Sequence, residues 1–165
     1  QREEGKQVWA VNYNSDGQIV IAGIKKDLEH LVPVLKEAKA KRAMLLDMSV
    51  ASHCPLLESA STPLEAKLQE MLKDDFIAPV ISNVTAQAYS TKVEALDLLP
   101  QQLVKPVLYK HSMANIDAEV DCYIEFGQGA VLKGLNRKAT KKPHFNVSDM
   151  ASLEATIAAI KELDV

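Results

Sequence analysis

The chain has 165 residues, of which 47% are hydrophobic and 25% are charged, and its formal net charge at pH 7 is -3. This size and composition suit one globular domain with a sizeable core and exclude a wholly disordered chain. The weak negative charge argues against a nucleic-acid partner, because such domains are usually basic, and no apolar run approaches the roughly 18 residues of a membrane span.

The opening part of the chain has the pattern of a β-hairpin followed by a helix. β-forming residues dominate Val8–Asn14 and Gln18–Gly23, and the Asp16-Gly17 pair between them tolerates the positive φ angles of a tight turn. Apolar residues then recur every three or four positions from Ile24 to Ala38, which predicts a helix with one buried face. The apolar run Ala43–Met48 predicts a buried strand.

The remainder of the chain alternates between helix and strand patterns. Thr62-Pro63 predicts a helix start, with threonine as the N-cap and proline at the first helical position. A strand that enters a loop is predicted within Pro79–Val84, a second strand at Cys122–Phe126, and helices at 93–103, 131–135 and 153–163. Strands that alternate with helices predict an α/β protein.

His53 is the residue most suited to proton transfer, because it lies in a loop between the predicted strand and the predicted helix. An imidazole with an ordinary pKa near 6.5 serves as an acid or a base at neutral pH. From the residues alone, however, a surface or hydrogen-bonded loop histidine without a catalytic role is the favoured interpretation. The neighbouring Cys54 does not indicate a Cys-His pair, since catalytic pairs are normally assembled from distant segments, and we expect it to be a small buried hydrophobe.

The cysteines and histidines do not indicate a metal site or a disulfide framework. Cys54 and Cys122 lie far apart, and we expect free thiols in a reducing, cytoplasmic compartment, although a single disulfide between them is possible in principle. The four histidines are dispersed, with no His-x-x-x-His pair and no Cys-x-x-Cys, so no metal is expected.

Two further patterns allow a functional and a structural interpretation. Gly127-Gln128-Gly129 follows a strand and opens a helix, as in dinucleotide-binding loops, but the third glycine is displaced, which favours a tight structural turn. A basic cluster suits either a solvated loop or the docking of an acidic partner. It comprises Arg137, Lys138, Lys141 and Lys142. No Gly-x-Ser-x-Gly occurs, so no nucleophile for His53 is visible in this chain.

Five segments together resemble the malonyl-CoA:acyl-carrier-protein transacylases of fatty-acid synthesis, in that family's order and over nearly the whole chain. The segments are Asn12–Gly23, Ala40–Leu56 with its Ser-Val-Ala-Ser-His-Cys-Pro motif, Ile81–Val84, Gln102–Val107 and Glu125–Leu135. Ala51 stands where the family usually has proline, and Leu108-Tyr109 lies where it often has tryptophan or tyrosine. The family's Gly-Gln-Gly-Ser/Ala-Gln stretch, its Gly-His-Ser-x-Gly elbow and the following arginine have no counterpart here, so the resemblance is to the C-terminal half.

The resemblance implies a two-part architecture and a ping-pong acyl transfer. A large core resembles an α/β hydrolase, and a ferredoxin-like small subdomain is inserted in it. Residues 1–48 would be the later part of the ferredoxin-like small subdomain, and residues 49–165 the C-terminal part of the acyltransferase core. In the reaction, a serine takes malonyl from coenzyme A and passes it to the thiol of acyl carrier protein. Malonyl-CoA is then a substrate, and no resident cofactor is expected.

The resemblance also assigns roles to residues of this chain. His53 matches the catalytic histidine, a base toward the serine and an acid toward the leaving thiol. Gln102 matches the position whose backbone carbonyl orients that histidine. Asn12 and Asn14 match asparagines near the coenzyme A and acyl groups, and Ser52 would lie beside the acyl pocket.

Other functions remain open at this point. The chain could belong to the acyltransferase segment of a polyketide synthase, or it could be a non-catalytic binding module on the same scaffold. We expect the chain alone to be inactive, because the serine is missing. We also expect it to associate with the missing N-terminal half or with itself, because the predicted strands Ala43–Met48 and Cys122–Phe126 are apolar on both faces.

Overall fold

A computed structural model of the chain describes residues 4–163. The chain divides into two compact units, one ending at Tyr109 and the other beginning at Lys110. Strands and helices alternate along both units, which confirms the predicted α/β class. Within residues 4–163, no helix combines the length and the apolar character that are needed to cross a bilayer.

The first unit opens with the predicted hairpin. Strands β1 (Val8–Ser15) and β2 (Gln18–Gly23) pair in antiparallel fashion, from Val8 opposite Gly23 to Ser15 opposite Gln18. The register shifts at two points along β1, where the strand bulges. Gly23 has to be glycine because a side chain there would collide with the carbonyl oxygen of Gln7. The predicted helix follows as α1 (Lys25–Glu37), which buries Leu31.

The segment 43–48 does not form the predicted strand. It is irregular, and all of its residues except Ala43 are exposed. The prediction was wrong because an apolar run becomes a buried strand only when other strands pair with it and other elements cover it. Among residues 4–163, no strand pairs with this segment.

The chain then passes through a 3₁₀ turn at Pro55–Ala60 directly into helix α2 (Ser61–Met71). The N-cap of α2 is Ala60, and Thr62 lies inside the helix, so the predicted start at Thr62-Pro63 was wrong. The reason is that the 3₁₀ turn leads into the helix without the extended backbone that a threonine N-cap adopts.

Strands β3 (Asp75–Ile81) and β4 (Ala88–Thr91) form a second antiparallel pair. The strand predicted to enter a loop within 79–84 does give way to a turn after Ile81, although it begins four residues earlier than predicted, and β4 was not predicted. The buried hydroxyl of Ser82 accepts the backbone N–H of Val84 at 3.1 Å, so the strand gives way to a turn at this point.

Helix α3 (Lys92–Val104) begins at a capping box, in which Thr91 and Glu94 exchange side-chain and backbone hydrogen bonds. Just after α3, Val107 pairs with strand β1 of the hairpin in parallel orientation. The Val107 N–H donates to the Val11 carbonyl at 2.8 Å, and the Tyr13 N–H donates to the Val107 carbonyl at 2.9 Å. The hairpin and the end of α3 are thereby held together.

The second unit is built around a parallel pair of strands. After α4 (Tyr109–Ile116), strand β5 (Tyr123–Phe126) pairs with β6 (His144–Val147), and α5 (Val131–Asn136) connects them. Helix α6 (Met150–Lys161) closes the unit from an Asp149–Ser152 capping box. The sequence predicted β5, α5 and α6, although not α4 or β6.

Candidate active site

The centre of the candidate site is a hydrogen bond between His53 and Gln102, which lie 49 positions apart. The Nδ1 atom of His53 lies 2.6 Å from the backbone carbonyl oxygen of Gln102. Because a carbonyl can only accept, Nδ1 carries the proton and donates it. In the neutral ring Nε2 then holds the free lone pair, and within residues 4–163 it has no hydrogen-bond partner. An imidazole in this state is ready to take a proton at Nε2.

The Gln102 carbonyl has no hydrogen bond within α3, because the residue four positions later is a proline. In a continuing helix the carbonyl of Gln102 would accept the N–H of residue 106, but that residue is Pro106, which has none. The final backbone bond at this end of α3 runs from the Lys105 N–H to the Gln101 carbonyl at 2.9 Å. His53 supplies the donor that the helix itself cannot provide.

The loop that carries His53 is held in an unusual backbone conformation. His53 has a φ of 60°, which lies in the left-handed region that residues other than glycine rarely adopt. The next residue, Cys54, anchors the loop, since it is only 1% exposed and its thiol donates to the Ala51 carbonyl at 3.5 Å. Cys54 is therefore the buried free thiol that the sequence predicted.

His53 opens onto a cleft of about 430 Å³ within the first unit. Most of the lining residues are apolar, and they come chiefly from β1 and from the end of α3 and the residues just after it. The lining residues are Val8, Trp9, Ala10, Tyr13, His53, Pro55, Val104 and Pro106. No lysine, arginine, aspartate or glutamate is among them, so this cleft suits an uncharged group beside an imidazole.

The other predicted site residues lie near the cleft in sequence but are not among its lining residues. Asn12 sits in β1, opposite Val20 on one side and bridged to Val107 on the other. The Asn14 side-chain amide donates to Gln18 Oε1 at 3.4 Å, and Ser52 is half-buried beside His53. Their predicted contacts with coenzyme A and the acyl group remain predictions.

Sequence reasoning missed Trp9 and Tyr13, which provide the aromatic part of the cleft wall. They lie four positions apart on β1, but the bulge between Ala10 and Asn12 breaks the period-2 alternation of the strand, so spacing alone could not place them on one face. The side of β1 that turns toward His53 was hidden as well, because the pairing with Val107 joins segments about 95 residues apart.

Four of the five segments that carried the resemblance are joined by hydrogen bonds or backbone pairing in the first unit. His53 meets Gln102, and Asn12 is bridged to Val107. The Leu108 N–H donates to the carbonyl of Asn83 at 2.8 Å, which attaches the third segment to the same place. These segments are therefore parts of one local structure.

The fifth segment forms a tight turn in the second unit. The Glu125 carboxylate accepts the N–H groups of Lys133 at 2.9 Å and Leu132 at 3.0 Å, and these bonds hold its pKa below the usual value. Gly127 and Gly129 have φ angles of 129° and 89°, which explains the glycines. Because the chain's own carboxylate fills the start of α5, the structural interpretation of this loop is favoured over phosphate binding.

The basic cluster of the second unit is smaller than the sequence indicated. Lys142 is half-buried, and its ammonium group donates to the backbone carbonyls of Asp117 and Val120. Arg137, Lys138 and Lys141 are exposed. Lys142 therefore has a structural role, and three cations remain for any docking of an acidic partner.

Comparison with known proteins shows close similarity to one group of curated sequences, although no family model matches the chain. A malonyl CoA-acyl carrier protein transacylase of Bacillus subtilis is 38% identical over 97% of this chain and 51% of its own length. A protein of the same name from Haemophilus influenzae is 37% identical over 94% of this chain and 50% of its own length. The chain thus spans about half the length of these relatives.

Solved structures give the same result. A malonyl-CoA:acyl carrier protein transacylase from Helicobacter pylori superposes with a TM-score of 0.92 at 44% identity, over 96% of this chain and 51% of that one. A malonyl-transacylase in complex with a type II polyketide acyl carrier protein has a TM-score of 0.88 at 34% identity, over 94% of this chain and 51% of that one. The fold described above is therefore shared with about half of each relative.

Proposed function

Because the chain is homologous to the malonyl CoA-acyl carrier protein transacylases over nearly its whole length, we propose that it forms part of an enzyme that transfers malonyl from coenzyme A to acyl carrier protein in fatty-acid synthesis. In this proposal the chain supplies the catalytic histidine and not the serine. The observation that carries the proposal is the 2.6 Å bond from Nδ1 of His53, a residue that lines the cleft, to the Gln102 carbonyl, which leaves the Nε2 lone pair of that ring unused.

In the first half-reaction His53 acts as a base and then as an acid. Nε2 takes the proton from the hydroxyl of a serine outside this chain while its oxygen attacks the malonyl thioester carbon. The carbon–sulfur bond then breaks, and the proton on Nε2 passes to the sulfur of coenzyme A. The Gln102 carbonyl favours this sequence, because it fixes the ring and stabilises the positive imidazolium through the Nδ1–H bond.

The second half-reaction runs the same steps in reverse order with a different thiol. Nε2 takes the proton from the phosphopantetheine thiol of the carrier protein, and the sulfur attacks the malonyl-serine ester. The ester bond breaks, and the proton returns from Nε2 to the serine oxygen. Malonyl-CoA and acyl carrier protein are the substrates, and the proposal includes no resident cofactor or metal.

Asn12, Asn14 and Ser52 belong to the proposed substrate contacts. Their positions in the fold support these contacts. Asn12 lies between Tyr13 and the buried Val11 on β1, which lines the cleft, and Ser52 is adjacent to His53. The carboxylate of malonyl needs a cationic partner, and none lines the cleft of the first unit. That partner belongs in this proposal to the part of the enzyme that this chain does not span.

The proposed architecture keeps the two-part division, with a ferredoxin-like small subdomain up to residue 48 and an α/β-hydrolase-like core from residue 49. The order β1, β2, α1 before this boundary supports it, as does the irregular stretch between α1 and the 3₁₀ turn at Pro55. Native-state hydrogen exchange of the joined protein would test this division, with the hairpin and α1 opening as one unit separately from the elements after residue 49.

The experiment that tests the proposed function joins this chain to the remaining half of the Helicobacter pylori relative. The joined protein is assayed with malonyl-CoA and acyl carrier protein. We expect formation of malonyl-carrier protein, and we expect the rate to depend on His53. A folded joined protein that transfers no malonyl would contradict the proposal and would favour a non-catalytic binding module.

A second candidate is the supply of malonyl to polyketide synthesis. The complex of a related malonyl-transacylase with a type II polyketide carrier protein favours it, at a TM-score of 0.88. The same assay distinguishes the two, with a fatty-acid carrier protein and a polyketide carrier protein compared at equal concentration. A strong preference for the polyketide carrier would select the second candidate.

A further inference from the structure

Residue 106 is the one position in the stretch 105–108 without a backbone N–H, because it is a proline. The N–H groups on either side of it all donate to backbone carbonyls at 2.8–2.9 Å. These bonds run from Lys105 to Gln101, from Val107 to Val11 and from Leu108 to Asn83. The donors around Pro106 are thus committed to other carbonyls, and the Gln102 carbonyl is left to His53.

Pro106 also prevents α3 from adding another residue. A proline disfavours the helical region for the residue before it, and Lys105 has an extended backbone with φ of −111° and ψ of 152°. If α3 continued past Lys105, the N–H of residue 106 would bond to the Gln102 carbonyl, as each helical N–H does to the carbonyl four residues earlier. Proline removes both the helical conformation and the donor.

The Gln102 carbonyl determines which nitrogen of the His53 ring carries the proton. A neutral imidazole holds one proton, and a hydrogen bond at one nitrogen selects the tautomer. The carbonyl oxygen lies 2.6 Å from Nδ1, so it selects the tautomer with a proton on Nδ1 and a lone pair on Nε2. If this carbonyl were bonded within α3 instead, the opposite tautomer would gain population, and its Nε2–H cannot accept a proton.

We propose that Pro106 is a positioning residue, which reserves the Gln102 carbonyl for His53 and thereby keeps the imidazole in the tautomer that can act as a base at Nε2. Pro106 lines the same cleft as His53, so the two residues lie at one place in the first unit. The consequence for malonyl transfer rests on the proposed function, whereas the tautomer is a property of this chain by itself. A wrong tautomer is costly in a catalytic triad even when the geometry is kept.

Nitrogen NMR of the isotope-labelled chain at about pH 9, where ordinary imidazoles are neutral, measures the tautomer of each histidine. In the wild type we expect the His53 proton on Nδ1. In Pro106→Ala the restored N–H competes for the Gln102 carbonyl, so the Nε2–H share of His53 should rise by about tenfold, the equivalent of one lost hydrogen bond. His144 is an internal reference that should not change, because its Nδ1 donates to the Lys142 carbonyl at 2.8 Å.

Pro100→Ala is the matched control, because Pro100 also lies in α3 and its replacement restores an N–H toward the Leu96 carbonyl. It should leave the His53 tautomer as in the wild type. Pro106→Val is a second variant, which restores the same N–H with a lower helix propensity than alanine, so it should change the tautomer in the same direction and by less. Circular dichroism checks that the variants fold, and Pro106→Val decides the question if Pro106→Ala does not.

Three results would overturn the proposal. The first is a wild-type His53 with its proton on Nε2. The second is a folded variant at position 106 whose His53 signals match the wild type. The third is an equal change in Pro100→Ala, since the effect would then belong to α3 as a whole.

The joined protein shows whether the tautomer matters for transfer. Pro106→Ala should lower kcat by about tenfold and change KM by less than about twofold, because fewer molecules hold the base form while substrate contacts remain. An unchanged kcat despite a changed tautomer would overturn the role of Pro106 in the reaction. A changed tautomer in a joined wild type that transfers no malonyl would support the control of His53 by Pro106 and contradict the proposed function instead.

Discussion

At the scale of single residues, the candidate site depends on Pro106 as much as on His53. Pro106 lacks the N–H that would have bonded to the Gln102 carbonyl, and His53 provides the missing donor at 2.6 Å. The bond compensates for the left-handed backbone of His53, whose φ is 60°. In the proposed mechanism this backbone carbonyl takes the place that a carboxylate has in other triads, without adding a charge to the site.

We predict that His53→Ala in the joined protein lowers the malonyl transfer rate by about 10²–10⁴-fold, the usual contribution of general acid-base catalysis. Gln102→Ala is the matched control, because it retains the backbone carbonyl that orients the ring. Steady-state transfer from malonyl-CoA to carrier protein measures both. Comparable rates for His53→Ala and Gln102→Ala would remove His53 from the mechanism.

The sequence could predict His53 and Gln102 only through the resemblance, because neither the φ angle nor the contact across 49 positions is encoded locally. The burial of Cys54 followed from its chemistry alone. Trp9 and Tyr13 were missed because their role depends on which face of β1 meets the chain beyond α3. Lys142 was misjudged for a similar reason, since its carbonyl partners Asp117 and Val120 lie more than twenty positions away.

At the scale of elements, helix α3 carries the Gln102 carbonyl, so its N-terminal cap supports the site at a distance. Thr91 Oγ1 accepts the Glu94 N–H at 3.3 Å, and the Glu94 carboxylate accepts from the Thr91 hydroxyl at 2.7 Å. We predict that Thr91→Ala lowers the free energy of unfolding by about 1 kcal/mol, as the loss of an N-cap does. Urea denaturation followed by circular dichroism measures the change.

Thr62→Ala provides the control for this cap, because Thr62 is exposed inside α2 and does not cap it. It should leave the stability unchanged or raise it slightly, since alanine has the higher helix propensity. Equal destabilisation by the two substitutions would mean that the Thr91 capping box contributes nothing beyond an ordinary threonine.

Helix α5 gives a pH-dependent prediction. Bonds from the Lys133 and Leu132 N–H groups lower the pKa of Glu125 below its usual 4.5. The ionised carboxylate therefore contributes stability that is fully present above pH 4.5 and is lost as the pH falls through the lowered value. Glu125→Gln should destabilise the second unit at pH 7 and should have little effect at a pH below that lowered value.

Denaturation of wild type and Glu125→Gln at a series of pH values measures this difference. Glu154→Gln is a suitable control, because Glu154 is exposed on α6 and lies outside the turn of α5. A difference between wild type and Glu125→Gln that stays constant from pH 7 into the acidic range would show that the charge of Glu125 is not responsible.

Elements held by local interactions were predicted well, and those held by distant partners were not. The hairpin needed only β-forming residues around Asp16-Gly17, and α1 needed only a repeating apolar face. By contrast, the run 43–48 is apolar like a buried strand but has no partner strand in residues 4–163, and it stays irregular. Strand β6 was missed because it exists through pairing with β5, about twenty residues earlier.

At the scale of the whole molecule, the chain shares its fold with about half of each relative, and its large apolar residues at 44–46 and 48 are exposed shortly before His53. An acyl transfer needs a nucleophile, a base and oxyanion donors within about 3 Å of one reacting centre. In the proposed mechanism this chain supplies the base, His53, and its orienting carbonyl, and the covalent intermediate forms on the remaining half.

Intact-protein mass spectrometry after incubation with malonyl-CoA tests that claim most directly. The chain is measured alone and after mixing with the remaining half of the Helicobacter pylori relative, with the two polypeptides resolved as separate masses. We predict no malonyl adduct on this chain in either sample, and an adduct on the remaining half in the mixture that His53→Ala makes far slower to form. A malonyl adduct that forms on this chain by itself would contradict the account.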